Sequence, residues 1–195
     1  FNVARFASFF DVPSDIDAEK ENLPSEDKWI LSEFSSTLEV VKNAWETLDI
    51  YSATQAIKNF GTGILPSHWL EMAKSRLYAG DKNAAWTIHR VVRDLMTIFT
   101  PVCPFFTHYV SETLYGESAV DVRDYPNMPV QELAPSSDEN IRYTSLTDSI
   151  IEFNSSVWKA KKENGISLNS EISGFEIPSN LEEFTKILTE MHKLV

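Results

Sequence analysis

The sequence is short of the residues that small folds use as staples. Cys103 is the only cysteine in 195 residues. No disulfide can close within the chain, and a reducing compartment fits this usage. Glycine is scarce, with six in all. Gly61-Thr62-Gly63 lacks the later glycine and lysine that a phosphate-cradling loop needs. No apolar run reaches 18 residues, so nothing reads as a membrane span. The opening Phe1-Asn2-Val3-Ala4-Arg5-Phe6 has no basic segment leading into an apolar stretch and a cleavage site, so it is not a signal peptide. It starts inside a helical pattern, and the expectation is a cytoplasmic piece of a longer protein.

Positive charge is also in deficit, with 17 Lys and Arg against 29 Asp and Glu and a net charge of −12. Nucleic-acid binding runs on Lys and Arg at phosphates, so the sum argues against it. The distribution is less one-sided. Between Lys58 and Arg93, six bases (Lys58, Lys74, Arg76, Lys82, Arg90 and Arg93) face two acids, Glu71 and Asp81.

Catalytic constellations are missing. His68, His89, His108 and His192 have no second His or Cys at metal-ligand spacing. No Gly-x-Ser-x-Gly elbow is present. Asp121 and Asp124 lie in a loop with no apolar pocket to raise a carboxyl pKa. Cys103 has His108 five residues on, but nothing marks a third group to orient a base, and Cys103 reads as a small buried filler. The chain is expected to hold no catalytic residue, metal or cofactor of its own.

What the chain does have is hydrophobic content of 43% arranged at helical spacing, enough for a real core. Val3, Phe6 and Phe10 share a face at the end of a first helix. A polar loop over 11–24 follows. Ser25 is expected to cap a helix running to about Leu48, with Ile30, Phe34, Leu38, Val41, Trp45 and Leu48 as its stripe. Ser52-Ala53-Thr54-Gln55 fits a capping box opening a third helix, which Gly61, Gly63 and Pro66 should break. The pattern resumes at Trp69 and stops at Gly80, and Asp81 caps a helix over Lys82–Phe99. A short aromatic helix from Phe105 to Leu114 ends at Gly116. Residues 117–136 read as an extended loop, with a short strand expected at Ala119–Arg123. One long helix should run from Ser137 to Gly165, with Tyr143, Leu146, Ile150, Phe153 and Val157 inward. Residues 166–177 alternate weakly, as a strand or hairpin edge does, and Ser179-Asn180-Leu181-Glu182 reads as a second capping box. The expected fold is all-α: a helical bundle over 1–134, then 135–195 as a long helix with a small strand-containing α/β appendage packed on it.

Two aromatics sit beside cations at helix ends: Trp29 after Lys28, and Trp158 before Lys159, Lys161 and Lys162. Such a pair can stack on a base and reach a phosphate, although aromatics at helical spacing are more often core.

The order of segments resembles the anticodon-binding region of the class I aminoacyl-tRNA synthetases for Val, Ile and Leu. The residues that carry the resemblance are Asn2-Val3-Ala4-Arg5-Phe6, then Asp27-Lys28-Trp29-Ile30-Leu31-Ser32, then Trp69-Leu70-Glu71 with Lys74 and Arg76-Leu77-Tyr78, then Pro101-Val102-Cys103-Pro104-Phe105-Phe106-Thr107, and Tyr125-Pro126. Over 137–170 it is weaker. There, the basic segment from Trp158 ending in Gly165-Ile166-Ser167-Leu168-Asn169 is similar to archaeal-type valyl enzymes, which favours valyl over isoleucyl or leucyl. Two stretches depart from the family pattern: Gly61–Ser67, where an aromatic and acidic run is usual, and His108-Tyr109, where Glu-Glu is usual.

The resemblance implies a helical bundle that holds a tRNA anticodon stem-loop and catalyses nothing itself. The parent enzyme would charge tRNA with valine using ATP, through catalytic and editing domains elsewhere in the same chain, as a monomer away from membranes. Neither nucleotide-site signature of class I enzymes is present here. On the resemblance, Arg5 and Lys28 would touch phosphate or base, Trp29 would stack, Asn2 would hydrogen-bond a base, and Lys161 and Lys162 would meet the RNA backbone. The rival readings are a helical protein–protein module and a helical enzyme.

Overall fold

The stripe from Ile30 to Val41 does what its spacing requires. Ile30, Phe34, Leu38 and Val41 are buried on one face of a helix over Ser25–Glu46 (α2). Burying each such side chain is worth about 1.5–3 kcal/mol. The computed structural model describes residues 1–18, 20, 22–118, 120–127 and 137–195. Among these the other α-helices are α1 (Asn2–Ala7), α3 (Ile50–Asn59), α4 (Leu70–Tyr78), α5 (Lys82–Phe99), α6 (Pro104–Tyr115), α7 (Asp138–Thr144), α8 (Thr147–Glu163) and α9 (Thr185–His192). A π-helical segment, Phe60–Trp69, links α3 to α4. The all-α expectation holds. No helix among the described residues is long and apolar enough to cross a membrane.

α2 packs against α3, α5, the π segment and α7. α5 is buried on nearly every side, with Trp86, Ile88, Val91, Val92, Leu95 and Ile98 in the core. Its cap is the one expected: Gly80 turns at φ +78°, and the Asp81 carboxylate accepts from the N–H groups of Asn83 and Ala84. Gly116 ends α6 at φ +68°. Cys103 is half-buried at the N-cap of α6, not a buried filler.

Several expectations give way. Ser25 is the first residue of α2 and caps nothing; Pro24 precedes the helix, and Ser25 Oγ donates to Glu183. α2 ends at Glu46, and Leu48 leaves the stripe at φ +57°, facing solvent. The cap of α3 lies three residues before the expected one, at Asp49, whose carboxylate accepts from the Ser52 N–H at 3.0 Å.

Gly61, Gly63 and Pro66 do not break the chain; they widen it. The Leu70 N–H reaches back five residues to Leu65 O. A proline ring clashes with the carbonyl four residues back in an α-helix, and the wider π turn moves that carbonyl away. A Cβ at Gly61 would sit 3.3 Å from Leu95 Cδ2, so this glycine lets the π segment lie close on α5.

The expected long helix from Ser137 is two helices, α7 and α8, parted at Ser145-Leu146. Ser137 caps α7 through the Asn140 N–H, and Tyr143, Leu146, Ile150, Phe153 and Val157 are buried as expected. The strand at Ala119–Arg123 is a 3₁₀ turn over Val120–Val122, and Ala119 lies outside the described residues. Residues 128–136, including the boundary at 134–135 and the second part of the expected loop, also lie outside them. The strand at 166–177 reduces to one parallel bridge, Ile172 with Leu194. The second capping box forms no cap. Ser179–Phe184 is a 3₁₀ turn, Asn180 donates to Ser149 Oγ, and α9 begins at Thr185.

The C-terminal elements are fastened by buried polar groups. Lys161 is fully buried, and its ammonium donates to the carbonyls of Leu168, Ser170 and His192, each at 2.7 Å. Asn154, also fully buried, bridges two imidazoles. His192 Nε2 donates to Asn154 Oδ1 at 2.8 Å, and Asn154 Nδ2 donates to His68 Nδ1 at 3.1 Å. This arrangement requires neutral His68. Burial pulls the His68 pKa down. Burial, with the Lys161 charge nearby, pulls His192 down to about 4.

A pH dependence follows, with its sign fixed. A histidine whose folded pKa lies below its unfolded value contributes stability present above the unfolded pKa and lost as pH falls towards the folded one. The free energy of unfolding should therefore fall from about pH 6.5 towards pH 4 by up to about 1.4 kcal/mol per pH unit on account of His192, with His68 acting in the same direction. His192→Gln should flatten that slope. A slope that His192→Gln leaves unchanged would place the acid-sensitive group elsewhere.

Candidate nucleic-acid interface

Four of the six bases between Lys58 and Arg93 are spent internally. Arg76, at the end of α4, reaches three carboxylates: Nη1 to Glu26 at 2.8 Å, Nη2 to Asp27 at 2.8 Å, and Nε to the α5 cap Asp81 at 3.0 Å. Arg90 pairs with buried Asp94 at 2.6 Å. Arg93 pairs with Asp17 and Glu117. Lys74 pairs with Glu71 one turn away. The acids come from across the chain, so a local excess of bases becomes buried structure. Lys58 and Lys82 stay exposed, with no ion pair among the described residues.

The tripeptide Asp27-Lys28-Trp29 points three ways from the start of α2. The Asp27 carboxyl is fully buried and accepts from both Arg76 Nη atoms and from Trp69 Nε1 at 3.1 Å. Burial pushes its pKa up to about 6, against the pull of Arg76 and Trp69. Lys28 pairs with Glu139 of α7 at 3.1 Å. Trp29 is fully buried, and its Nε1 donates to Thr147 Oγ1 of α8 at 2.9 Å. One short segment thus ties α4, α7 and α8 to α2.

These positions correct two of the expected contacts. Trp29 presents no ring face to stack on, and Lys161 has its ammonium saturated by three carbonyls. Both are core, because apolar neighbours and internal acceptors surround them. Lys28 is a half-buried ion-pair partner. Asn2, Arg5 and Lys162 are exposed. Arg5 forms no ion pair among the described residues, and Asn2 lines a cavity of about 1050 Å³ that also touches Lys58, Lys74 and Trp158. Trp158 is partly exposed, with its ring 5.6 Å from that of His68 and 5.6 Å from that of His192.

Residues 27–176 match the model of the anticodon-binding domain of tRNA ligases. The chain belongs to this family. Among similar proteins are valine–tRNA ligases of three archaea: Saccharolobus solfataricus (32% identical over 148 residues, covering 75% of this chain and 17% of that protein), Methanothrix thermoacetophila (30% over 187 residues, 93% and 20%) and Aeropyrum pernix (29% over 203 residues, 99% and 24%). This anticodon-binding domain therefore spans about a fifth of the length of those relatives. The match begins at Asp27, the buried carboxyl at the centre of the clamp.

The clamp is readable in the sequence as a motif but not as a structure. Segment order marks Asp27-Lys28-Trp29 and Arg76-Leu77-Tyr78 as family segments. Nothing in their spacing says that Asp27 and Arg76 bind each other across 49 residues. Lys58 is visible in the sequence only as one base in a basic stretch. Its distinction is that, of the six bases in that stretch, only Lys58 and Lys82 have no ion pair among the described residues.

Proposed function

We propose that this domain binds the anticodon stem-loop of a valine tRNA and presents that tRNA to the catalytic part of a longer valine–tRNA ligase. What carries the reading is the family match over 27–176 together with archaeal valine–tRNA ligases as relatives over most of the chain. On this reading ATP, valine and the ligation chemistry belong to the remainder of the enzyme. The RNA contacts fall to side chains that the fold leaves exposed, Arg5 and Lys162 for phosphate and Asn2 for a base edge.

The test is a titration of the chain with valine, isoleucine and leucine tRNA stem-loops at several salt concentrations. Binding should favour the valine stem-loop, and log K should fall linearly with log salt. Arg5→Ala with Lys162→Ala should weaken binding and flatten that slope by about one for each phosphate that no longer has a cation on it. Unchanged affinity for the double variant would refute the assigned contacts, and equal binding of an unrelated hairpin would refute the specificity.

A further inference from the structure

The 1050 Å³ cavity has the chemistry of a base-binding slot. Its walls are largely apolar, from Ile57, Leu95, Met96 and Phe99, with the partly exposed indole of Trp158 on one side. Asn2 and Asn169 line it, and the amide group of either residue type can pair with a base edge. Its charged lining side chains are Lys58, Lys74 and Glu71, a net positive mouth in a chain of net charge −12. That local sign matches a phosphodiester.

A second observation lies one step along α3. Leu48 holds φ +57°, a conformation that costs a non-glycine residue of order 1–3 kcal/mol. Next to it, Leu48 itself and Ile50 and Tyr51 at the start of α3 stand 82%, 60% and 74% exposed. Tyr51, Thr54 and Lys58 follow at intervals of three and four residues, so they share one face of α3, and Thr54 and Lys58 line the cavity.

We propose that this cavity receives an unstacked base from a single-stranded RNA loop, with Lys58 on the phosphate at its mouth and Tyr51 stacking the neighbouring nucleotide. The inference rests on the reading of the domain as a tRNA binder. Aromatic platforms beside lone cations bind single strands in this way, and splayed loop bases are what such slots read.

The probe is a fluorescein-labelled valine anticodon stem-loop, titrated into the chain and its variants, with thermal melts confirming that each folds. Tyr51→Ala should weaken binding about 5- to 150-fold, the range that base–aromatic stacking spans. Lys58→Ala should lower the salt slope by about 0.7–0.9, as removing the cation from one phosphate does. Thr62→Trp, which fills the slot from an exposed position, should weaken binding at least tenfold. Lys82→Ala, at the opposite end of α5, should change nothing. If the unmodified chain binds and Thr62→Trp and Lys58→Ala stay within twofold of it, the slot is wrong while the tRNA reading stands. If the unmodified chain binds no tRNA stem-loop, both fall.

Discussion

Replacing Arg76 with alanine is expected to lower the free energy of unfolding by about 3–5 kcal/mol, the cost of leaving a buried carboxylate without its partner. Asp27 is fully buried, and both of its oxygens accept from this one guanidinium. Glu26 and Asp81 lose the same partner. The cost comes mostly from the orphaned charge and less from the missing attraction, which suggests its own control. Asp27→Leu combined with Arg76→Met removes both charges from the interior. Replacing a buried pair with apolar groups is often close to neutral, so the double variant should be more stable than Arg76→Met alone. Urea titrations of the unmodified chain, the two single variants (Asp27→Leu and Arg76→Met) and the double variant check this. If the double variant loses as much as the sum of the singles, the two side chains do not act as a pair.

Lys161→Met is the second large effect, expected at about 3 kcal/mol or more. Hydrogen bonds to a charged group contribute roughly 1.5–3 kcal/mol each, and here one ammonium serves three carbonyls at 2.7 Å. Burial works against the charge, pulling the Lys161 pKa down. The substitution should act locally first. Leu168, Ser170 and His192 belong to the loop after α8 and to α9, so amide exchange should quicken there before it does in α2 or α5. Uniform quickening across the whole chain would show that the lysine supports the global fold and does not pin this corner.

How far the sequence foretells these features depends on the range of the interactions behind them. Local interactions are legible. Asp81 caps α5 through amides two and three residues on, and the stripe of α2 shows in its spacing. Where two local signals compete, one displaces the other, as Asp49 displaces Ser52 at the cap of α3. Glycine and proline oppose an α-helix, so the sequence of the π segment points to a break. The alternative of a wider helix depends on Leu95 of α5, far along the chain. The charges are least legible. Asp17, Asp27 and Glu117 reach arginines tens of residues away, so a window count of bases measures future ion pairs and not free surface. Trp29 and Lys161 look like RNA contacts in the sequence for the same reason. An aromatic next to a lysine at a helix start carries no mark of which side faces the core.

Stability and RNA affinity, measured side by side on two proteins, bear most directly on this division between clamp and contact. Trp29→Leu removes the indole and its bond to Thr147. Arg5→Ala with Lys162→Ala removes two exposed cations. Titrated with a valine anticodon stem-loop well below their melting temperatures, Trp29→Leu should melt earlier yet bind within about twofold of the unmodified chain. The cation variant should melt unchanged and bind more weakly. A Trp29→Leu protein that keeps its melting temperature and loses RNA binding would contradict the clamp and make Trp29 a contact.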